Sequence, residues 1–271
     1  MEVIALKQQG ILEITGRDAI KFFQGYCTCN LEALVPGKSL LGAITNIQGR
    51  VETTFIVALD SEHQLTESTN QSLLISMHRD MVNPIIQLLQ HYIVFSKATL
   101  IDRSSDLYCY GVMSCAPLAD QFTVSIEQRS ARQEIWTNQV LGAAISDNQW
   151  QEQDIEEGLV WINEAQRGRF QPYELGLSTN GAVDFQKGCY LGQEIIARVQ
   201  YRGKPKKVLI NAEADGESYP GQQVYTEDNT LCGEIVASIQ TKTGALCAAI
   251  VDSTVREQPI HSDTAVLTIR L

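Results

Sequence analysis

The chain has 271 residues, 44% of them hydrophobic and 20% charged, the profile of a globular protein large enough for two modest domains. The formal net charge of −11 works against broad binding to phosphate backbones, although one local basic patch would escape that average. No apolar run approaches the length of a bilayer span, and the N-terminus has neither the charge pattern nor the apolar core of a signal peptide, so a cytoplasmic protein without membrane contact and with reduced thiols is expected.

The chain opens as strand, turn, strand over Val3 to Leu6 and Ile11 to Thr15. Asp18 is placed to cap a short helix whose apolar contacts come from Ile20, Phe22 and Phe23. Leu41 to Asn46 and Val51 to Leu59 read as strands around the turn I-Q-G-R, and Ser72 to Met77 as another. Met81, Ile85, Leu88, Leu89 and Tyr92 recur at helical spacing, which predicts a helix over about 79–91 with Pro84 near its first turn. Strands follow over Ile93 to Ile101, Leu107 to Met113, Phe122 to Ile126 and Val140 to Ile145. Asp147 opens a short helix holding Trp150 and Ile155, and Arg167 to Gly181 reads as loop. The run from Leu191 begins either a helix or a strand.

Past Tyr201 the texture changes. R-G-K-P-K-K at 202–207 reads as a basic linker, and short strands with turn signals follow over Lys207 to Ala212, Gln222 to Thr226, Leu231 to Gln240, Ala245 to Asp252 and Ala265 to Leu271. These predict a small antiparallel barrel or sandwich. A boundary near 200 separates it from a first domain over 1–200, leaving 201–271 as the second. Helices and strands in the first domain do not alternate regularly, so the class is α+β rather than a doubly wound sheet.

The stretch K-G-C-Y-L-G-Q-E, Lys187 to Glu194, frames a cysteine with two glycines and sets a lysine two residues before it. Cys189 there is open to three readings: a reactive thiol favoured by a nearby cation, a ligand, or a small packed side chain. None of His63, His78, His91 and His261 lies in a cysteine-enzyme signature. Cys27 and Cys29 form C-x-C, and Cys109 and Cys115 are six apart. Neither pair has the further soft ligands of a zinc or iron–sulfur site, so no metal is expected. Glu156 and Glu157, before Gly158, stand where polar sequence turns apolar, either as a solvated helix end or as an acid that enters a cavity. Trp150 is a core residue or a stacking surface. Arg198 and the 202–207 cluster form the one basic patch, a solvated linker or a contact for phosphate, RNA or a polyglutamate tail. No phosphate-cradling glycine motif is present.

Taken together, K-G-C-Y-L-G-Q-E, the following I-I-A-R and Y-R-G-K, and the earlier I-T-G-R-D-A-I-K-F-F-Q-G, H-Y-I-V-F-S-K-A-T and F-Q-P-Y-E-L resemble the YgfZ-type folate-binding proteins. These are relatives of the glycine-cleavage T-protein, an aminomethyltransferase. The resemblance implies a ring of mixed α/β subdomains around a folate site, followed by a C-terminal β-barrel. It implies tetrahydrofolate or a one-carbon derivative as ligand. Glu156 would match the family's pterin-binding glutamate, with Trp150 at the folate pocket and Arg198 as a further contact. Lys187, Gly188, Cys189, Tyr190, Gly192, Gln193 and Glu194 would form the signature, with Cys189 as its functional thiol and Lys187 tuning it.

The expected function is an accessory one: support of iron–sulfur cluster assembly or repair and, through it, tRNA modification, with iron–sulfur assembly or client proteins as partners and no extensive direct tRNA contact. The alternative is a folate-dependent aminomethyltransferase. The family's catalytic aspartate, however, falls in G-R-V-E-T-T-F, where Glu52 is followed by Thr53, and a threonine hydroxyl carries no carboxylate charge at neutral pH.

Overall fold

The structure is a computed structural model describing residues 3–60, 71–113, 123–125, 132–142, 146–203, 205–255 and 258–270. The chain divides into two compact units. The first gathers Met1–Asp147, Trp161–Arg169 and Gly181–Gln193; the second gathers Asn148–Val160, Phe170–Asn180 and Glu194–Leu271.

The first unit holds two antiparallel sheets. The larger has the order β3-β4-β5-β2-β6, built from β2 (Gln9–Gly16), β3 (Ser39–Thr45), β4 (Val51–Leu59), β5 (Gln71–His78) and β6 (Thr99–Asp102). Leu12 and Ile14, Phe55 and Val57, and Leu73, Ile75 and Met77 alternate along three neighbouring strands, as the period of two requires. They meet Phe22 and Phe23 of α1 (Ala19–Gln24) and Ile85 and Leu89 of α2 (Val82–Gln90) in one apolar cluster. β4 is buried along nearly its whole length, because its second face is covered as well. There Ile162 donates its backbone N–H to Thr54 Oγ1 at 3.1 Å. Polar groups buried on this sheet are paired: Glu13 accepts from Ser72 Oγ at 2.8 Å and Arg103 Nη1 at 2.6 Å.

The smaller sheet has the order β1-β7-β9-β8, from β1 (Val3–Ala5), β7 (Tyr108–Val112), β8 (Thr123–Ser125) and β9 (Gln133–Thr137). The first two strands of the chain thus belong to different sheets. β9 escapes sequence reading because Gln133 and Glu134 break its apolar pattern. Inside the fold, Trp136 Nε1 donates to Glu134 Oε2 at 2.9 Å and makes that buried acid tolerable.

Several expectations are corrected. The strand over 93–101 is a 3₁₀ turn at Ile93–Phe95 followed by the shorter β6. The helix expected from 79 begins as a 3₁₀ turn at Arg79–Met81, and α2 starts at Val82. Pro84 falls in the first turn of α2, where a backbone N–H has no intrahelical partner to lose. Asp18 precedes α1, but its side chain makes no cap bond and instead accepts from the Lys97 backbone N–H at 2.9 Å. Residues 140–142 form no strand, and 143–145 lie outside the described residues, as do His63, Cys115 and Lys204.

The second unit contains α3 (Asn148–Glu156), most of α4 (Gln193–Arg202) and a closed six-stranded antiparallel barrel. Its strands are β10 (Lys207–Ala214), β11 (Gln223–Thr226), β12 (Leu231–Thr241), β13 (Gly244–Asp252), β14 (Ile260–His261) and β15 (Val266–Arg270), in the order β10-β13-β12-β11-β14-β15. Small residues line its interior, Ala212 and Ala214 with Cys247 and Ala249, joined by larger Val224, Ile235, Val251 and Leu267. α3 packs on β12 and β13. The class is therefore α+β with a C-terminal antiparallel barrel.

Candidate functional site

The segment K-G-C-Y-L-G-Q-E lies in the first unit up to Gln193 and is fastened to two other segments of that unit. Thr28 Oγ1 donates to the Ala182 carbonyl at 2.6 Å, and the Asp184 N–H returns to the Thr28 carbonyl at 2.9 Å. Asp184 Oδ1 accepts from the N–H groups of Gln186 and Lys187 and turns the chain. Farther on, the Leu191 N–H donates to the Gly25 carbonyl at 3.0 Å, and Thr45 Oγ1 donates to the Leu191 carbonyl at 2.6 Å.

Lys187 is the central fastening. Its side chain is buried, with 7% of the residue exposed. Its ammonium donates to the carbonyls of Gln24 at 2.9 Å, Cys27 at 2.7 Å and Cys29 at 2.7 Å. An ammonium has three N–H donors, so these carbonyls commit all of them. Lys187 Nζ also stands 3.7 Å from Cys27 Sγ and 5.1 Å from the Tyr190 ring centroid. The C-x-C pair therefore contributes its backbone oxygens to a cation cradle. Burial resists ionisation of Cys27, but the hydrogen bond with Cys29 and the Lys187 charge outweigh it and draw this thiol below its ordinary value. Cys29 moves well above its ordinary value through its hydrogen bond with Cys27 and through burial.

Between these fastenings, Gly188 and Cys189 are exposed, while Tyr190 is buried. Cys189 is the one exposed cysteine among those described; Cys27, Cys29, Cys109, Cys232 and Cys247 are buried. Burial pushes the Cys247 thiol up to about 12 and Cys109 higher still. The signature thus presents a single sulfur to solvent at the apex of a loop held on both sides.

The two glycines have different work. Gly192 has φ +83°, and a Cβ there would lie 2.4 Å from the Asn46 carbonyl oxygen. Gly188 faces open space. Gly192→Ala is expected to cost about 2–4 kcal/mol of stability, from the left-handed backbone and the clash together, while Gly188→Ala changes it by less than about 0.5 kcal/mol. Urea unfolding of the two variants side by side checks this; equal midpoints would contradict it.

The strand that would carry a catalytic acid offers none that is free. Thr53 is wholly buried in β4, and its hydroxyl donates to the Thr54 carbonyl at 3.1 Å. The neighbouring Glu52 is buried and ion-paired with Arg167, and Asn46 Nδ2 donates to its other oxygen at 2.9 Å.

The remaining candidates, Gln193 apart, belong to the second unit. Glu156 ends α3 with its side chain 39% exposed; it accepts from Gln153 Nε2 at 2.8 Å and pairs with Arg270 Nη1 at 3.0 Å. Trp150, on the same helix, is 1% exposed. Six residues at 100° each place the two side chains about 120° apart around the helix and about 9 Å apart along it, so they do not share a face. Arg198 is exposed on α4, as is Glu194 in its first turn, where a carboxylate suits the helix dipole. Gln193 is half-buried, its N–H on the Tyr190 carbonyl. Among the described residues no cluster of three His, Cys, Asp or Glu side chains is gathered to hold a metal, and no helix is long and apolar enough to cross a membrane.

Sequence reasoning missed Gln24, Thr28 and Thr45. Their contributions are carbonyls and hydroxyls that meet the signature, or the turn leading into it, from more than 140 positions away, as with Thr45 and Leu191, and residue type does not mark such bonds.

No family model matches the chain. It is 27% identical to the tRNA-modifying protein YgfZ of Hamiltonella defensa, over 90% of this chain and 81% of that protein. It is 24% identical to tRNA-modifying protein YgfZ of Escherichia coli, over 93% and 85%. An uncharacterized protein of Haemophilus influenzae is 26% identical over 77% of this chain and 72% of its own length. Among solved structures, aminomethyltransferase T of the glycine cleavage system from Bartonella henselae superposes with a TM-score of 0.67, covering all of this chain and 85% of that one at 10% identity. The chain is thus similar to the YgfZ proteins along nearly its whole length, and it has the fold of the T-protein.

Proposed function

We propose that this chain is a YgfZ-type accessory protein of the cytoplasm: it binds a reduced folate and supports the assembly or repair of iron–sulfur enzymes, those that modify tRNA among them. The observation that carries this reading is the signature loop, in which a buried lysine and two threonines hold the backbone so that Cys189 alone among the described cysteines faces solvent. Similarity to proteins named for tRNA modification supplies the biological setting. A T-protein fold supplies the ligand class.

For a reduced folate, Glu156 and Arg198 suit the chemistry. The Glu156 carboxylate is half-exposed and keeps lone pairs beyond those taken by Arg270 and Gln153, enough for pterin N–H groups. Arg198 presents an exposed guanidinium suited to a ligand carboxylate. Trp150 fits less well, since its packed indole leaves no open ring face. Bound folate would supply a carrier for one-carbon units.

Tetrahydrofolate titration, followed by intrinsic fluorescence or calorimetry, tests the ligand. Saturable binding is expected, with Glu156→Ala weakening it at least about tenfold through the lost charge-assisted hydrogen bonds. Unchanged affinity in the variant, or no binding, would refute the assignment. Aminomethyl transfer is the second reading, favoured by the T-protein fold. Against it stand the sealed Thr53 hydroxyl and the paired Glu52, which leave this strand no free base. No methylene-tetrahydrofolate is expected from an aminomethyl-lipoyl carrier protein.

A further inference from the structure

The first unit carries a second feature that the folate reading does not use. Beside α1 lies an open groove of about 500 Å³ whose lining includes Tyr26, Tyr92, Phe95, Lys21 and Leu191. Its aromatic wall is a ladder: the Phe22 and Tyr26 rings are 5.0 Å apart between centroids, and Tyr26 and Tyr92 are again 5.0 Å apart. At one end the 3₁₀ turn Ile93–Phe95 puts apolar side chains into water, with Phe95 99% and Val94 72% exposed. Such exposure gains nothing for folding and marks a surface that something covers.

Charge tells what covers it. Arg17, Lys21 and Lys97 are all exposed, and none is ion-paired among the described residues. Lys21 lines the groove. Arg17 and Lys97 are brought to the same edge by the paired backbone: the Asp18 N–H donates to the Lys97 carbonyl, and the Lys97 N–H donates to the Asp18 carboxylate. Lys21 thus lines the aromatic groove, and Arg17 and Lys97 are the chain neighbours of its lining residues Asp18 and Ser96, on a chain whose net charge is −11. They complement carboxylates. A nucleic-acid strand fits less well, because the cations cluster around one groove rather than following a backbone track.

We infer that this groove is a docking site for an acidic segment of a partner protein, which seats one aromatic side chain against Tyr26 and Tyr92, packs on Phe95 and sets its carboxylates on the Arg17, Lys21 and Lys97 rim. Aromatic and cationic groups in this arrangement are the usual anchors of an interface. The position matters for the proposed function. Gly25 and Leu191 line the groove and also form the hydrogen bond that fastens the signature loop. Leu191 is two residues from Cys189, so their Cα atoms are at most about 7.6 Å apart. A docked partner is thereby delivered beside the exposed thiol. The site itself does not depend on folate.

A displayed random-peptide library selected on the full chain, with counter-selection on Phe95→Asp, tests the inference. Enrichment of an aromatic residue flanked by acids is expected. The enriched peptide, synthesised and labelled, should bind the wild-type chain in a salt-sensitive way. Phe95→Ala and Lys21→Glu should each weaken it about tenfold or more, while the tetrahydrofolate titration stays unchanged. The inference is overturned by a library that converges on no acidic aromatic motif, or by a peptide indifferent to both substitutions. It is equally overturned if a labelled uridine oligonucleotide binds in a Phe95-dependent way, or if sedimentation shows a dimer that Phe95→Asp dissolves.

Discussion

Lys187→Met is expected to remove about 3–5 kcal/mol of stability, a large share of the roughly 5–15 kcal/mol that holds a domain folded. Methionine fills similar space but donates no hydrogen bond. The carbonyls of Gln24, Cys27 and Cys29 would lose a shared partner in a site from which water is largely excluded, and each such loss costs about 1–3 kcal/mol, not fully additively. The loss of the cation from beside Cys27 removes one of the influences that draw its thiol down. Lys187→Arg should recover little, because a flat guanidinium fork does not match three oxygens converging on one point. Urea unfolding of wild type and both variants provides the measurement. A Lys187→Met cost below about 1 kcal/mol would mean the cradle is not what fastens the loop.

This role differs from the one the signature implies for Lys187, tuning of Cys189, and the difference shows what a sequence conceals. A lysine two residues from a cysteine suggests an electrostatic pair. In the fold the chain turns at Asp184, and the lysine is drawn inward to oxygens more than 150 positions away, so all three donors are spent on backbone. Backbone acceptors leave no trace in residue identity. The same holds for Thr28 and Thr45, whose hydroxyls fasten the loop across similar separations.

Elements with a clean period were legible. β2, β4 and β5 alternate apolar residues, α2 repeats them at helical spacing, and the barrel strands other than the two-residue β14, which the sequence reading missed, are bounded by turn signals. β9 was not legible, because its buried Gln133 and Glu134 look like surface residues until Trp136 supplies a partner. The run over 93–101 misled for the opposite reason. Ile93, Val94 and Phe95 look like a buried strand, whereas two of the three stand in solvent on a 3₁₀ turn. The strand was read from its apolar residues, and an exposed apolar surface is where that reading breaks down.

Of the candidate site, the eight-residue signature was visible in the sequence, whereas the exposure of Cys189, which its spacing left open, is seen only in the fold. The grouping of Glu156 with Trp150 was not fixed by their nearness along the chain, since a helix turns the two side chains to different sides. Thr53 and Glu52 were identified by position, and their sealed, paired state follows from β4 being covered on both faces.

Everything proposed here for the chemistry passes through one sulfur atom, and Cys189→Ser addresses it directly. The substitution exchanges one atom at an exposed position, so stability should change by less than about 0.5 kcal/mol, and tetrahydrofolate affinity should be unaltered. Serine keeps a hydrogen-bonding group, but its hydroxyl ionises far less readily and does not replace a thiolate as nucleophile or ligand. The variant, expressed at wild-type level in a strain lacking the protein, is therefore expected to leave iron–sulfur enzyme activity and tRNA thiolation at the level of the empty strain. Full restoration by a folded, folate-binding Cys189→Ser protein would contradict the account.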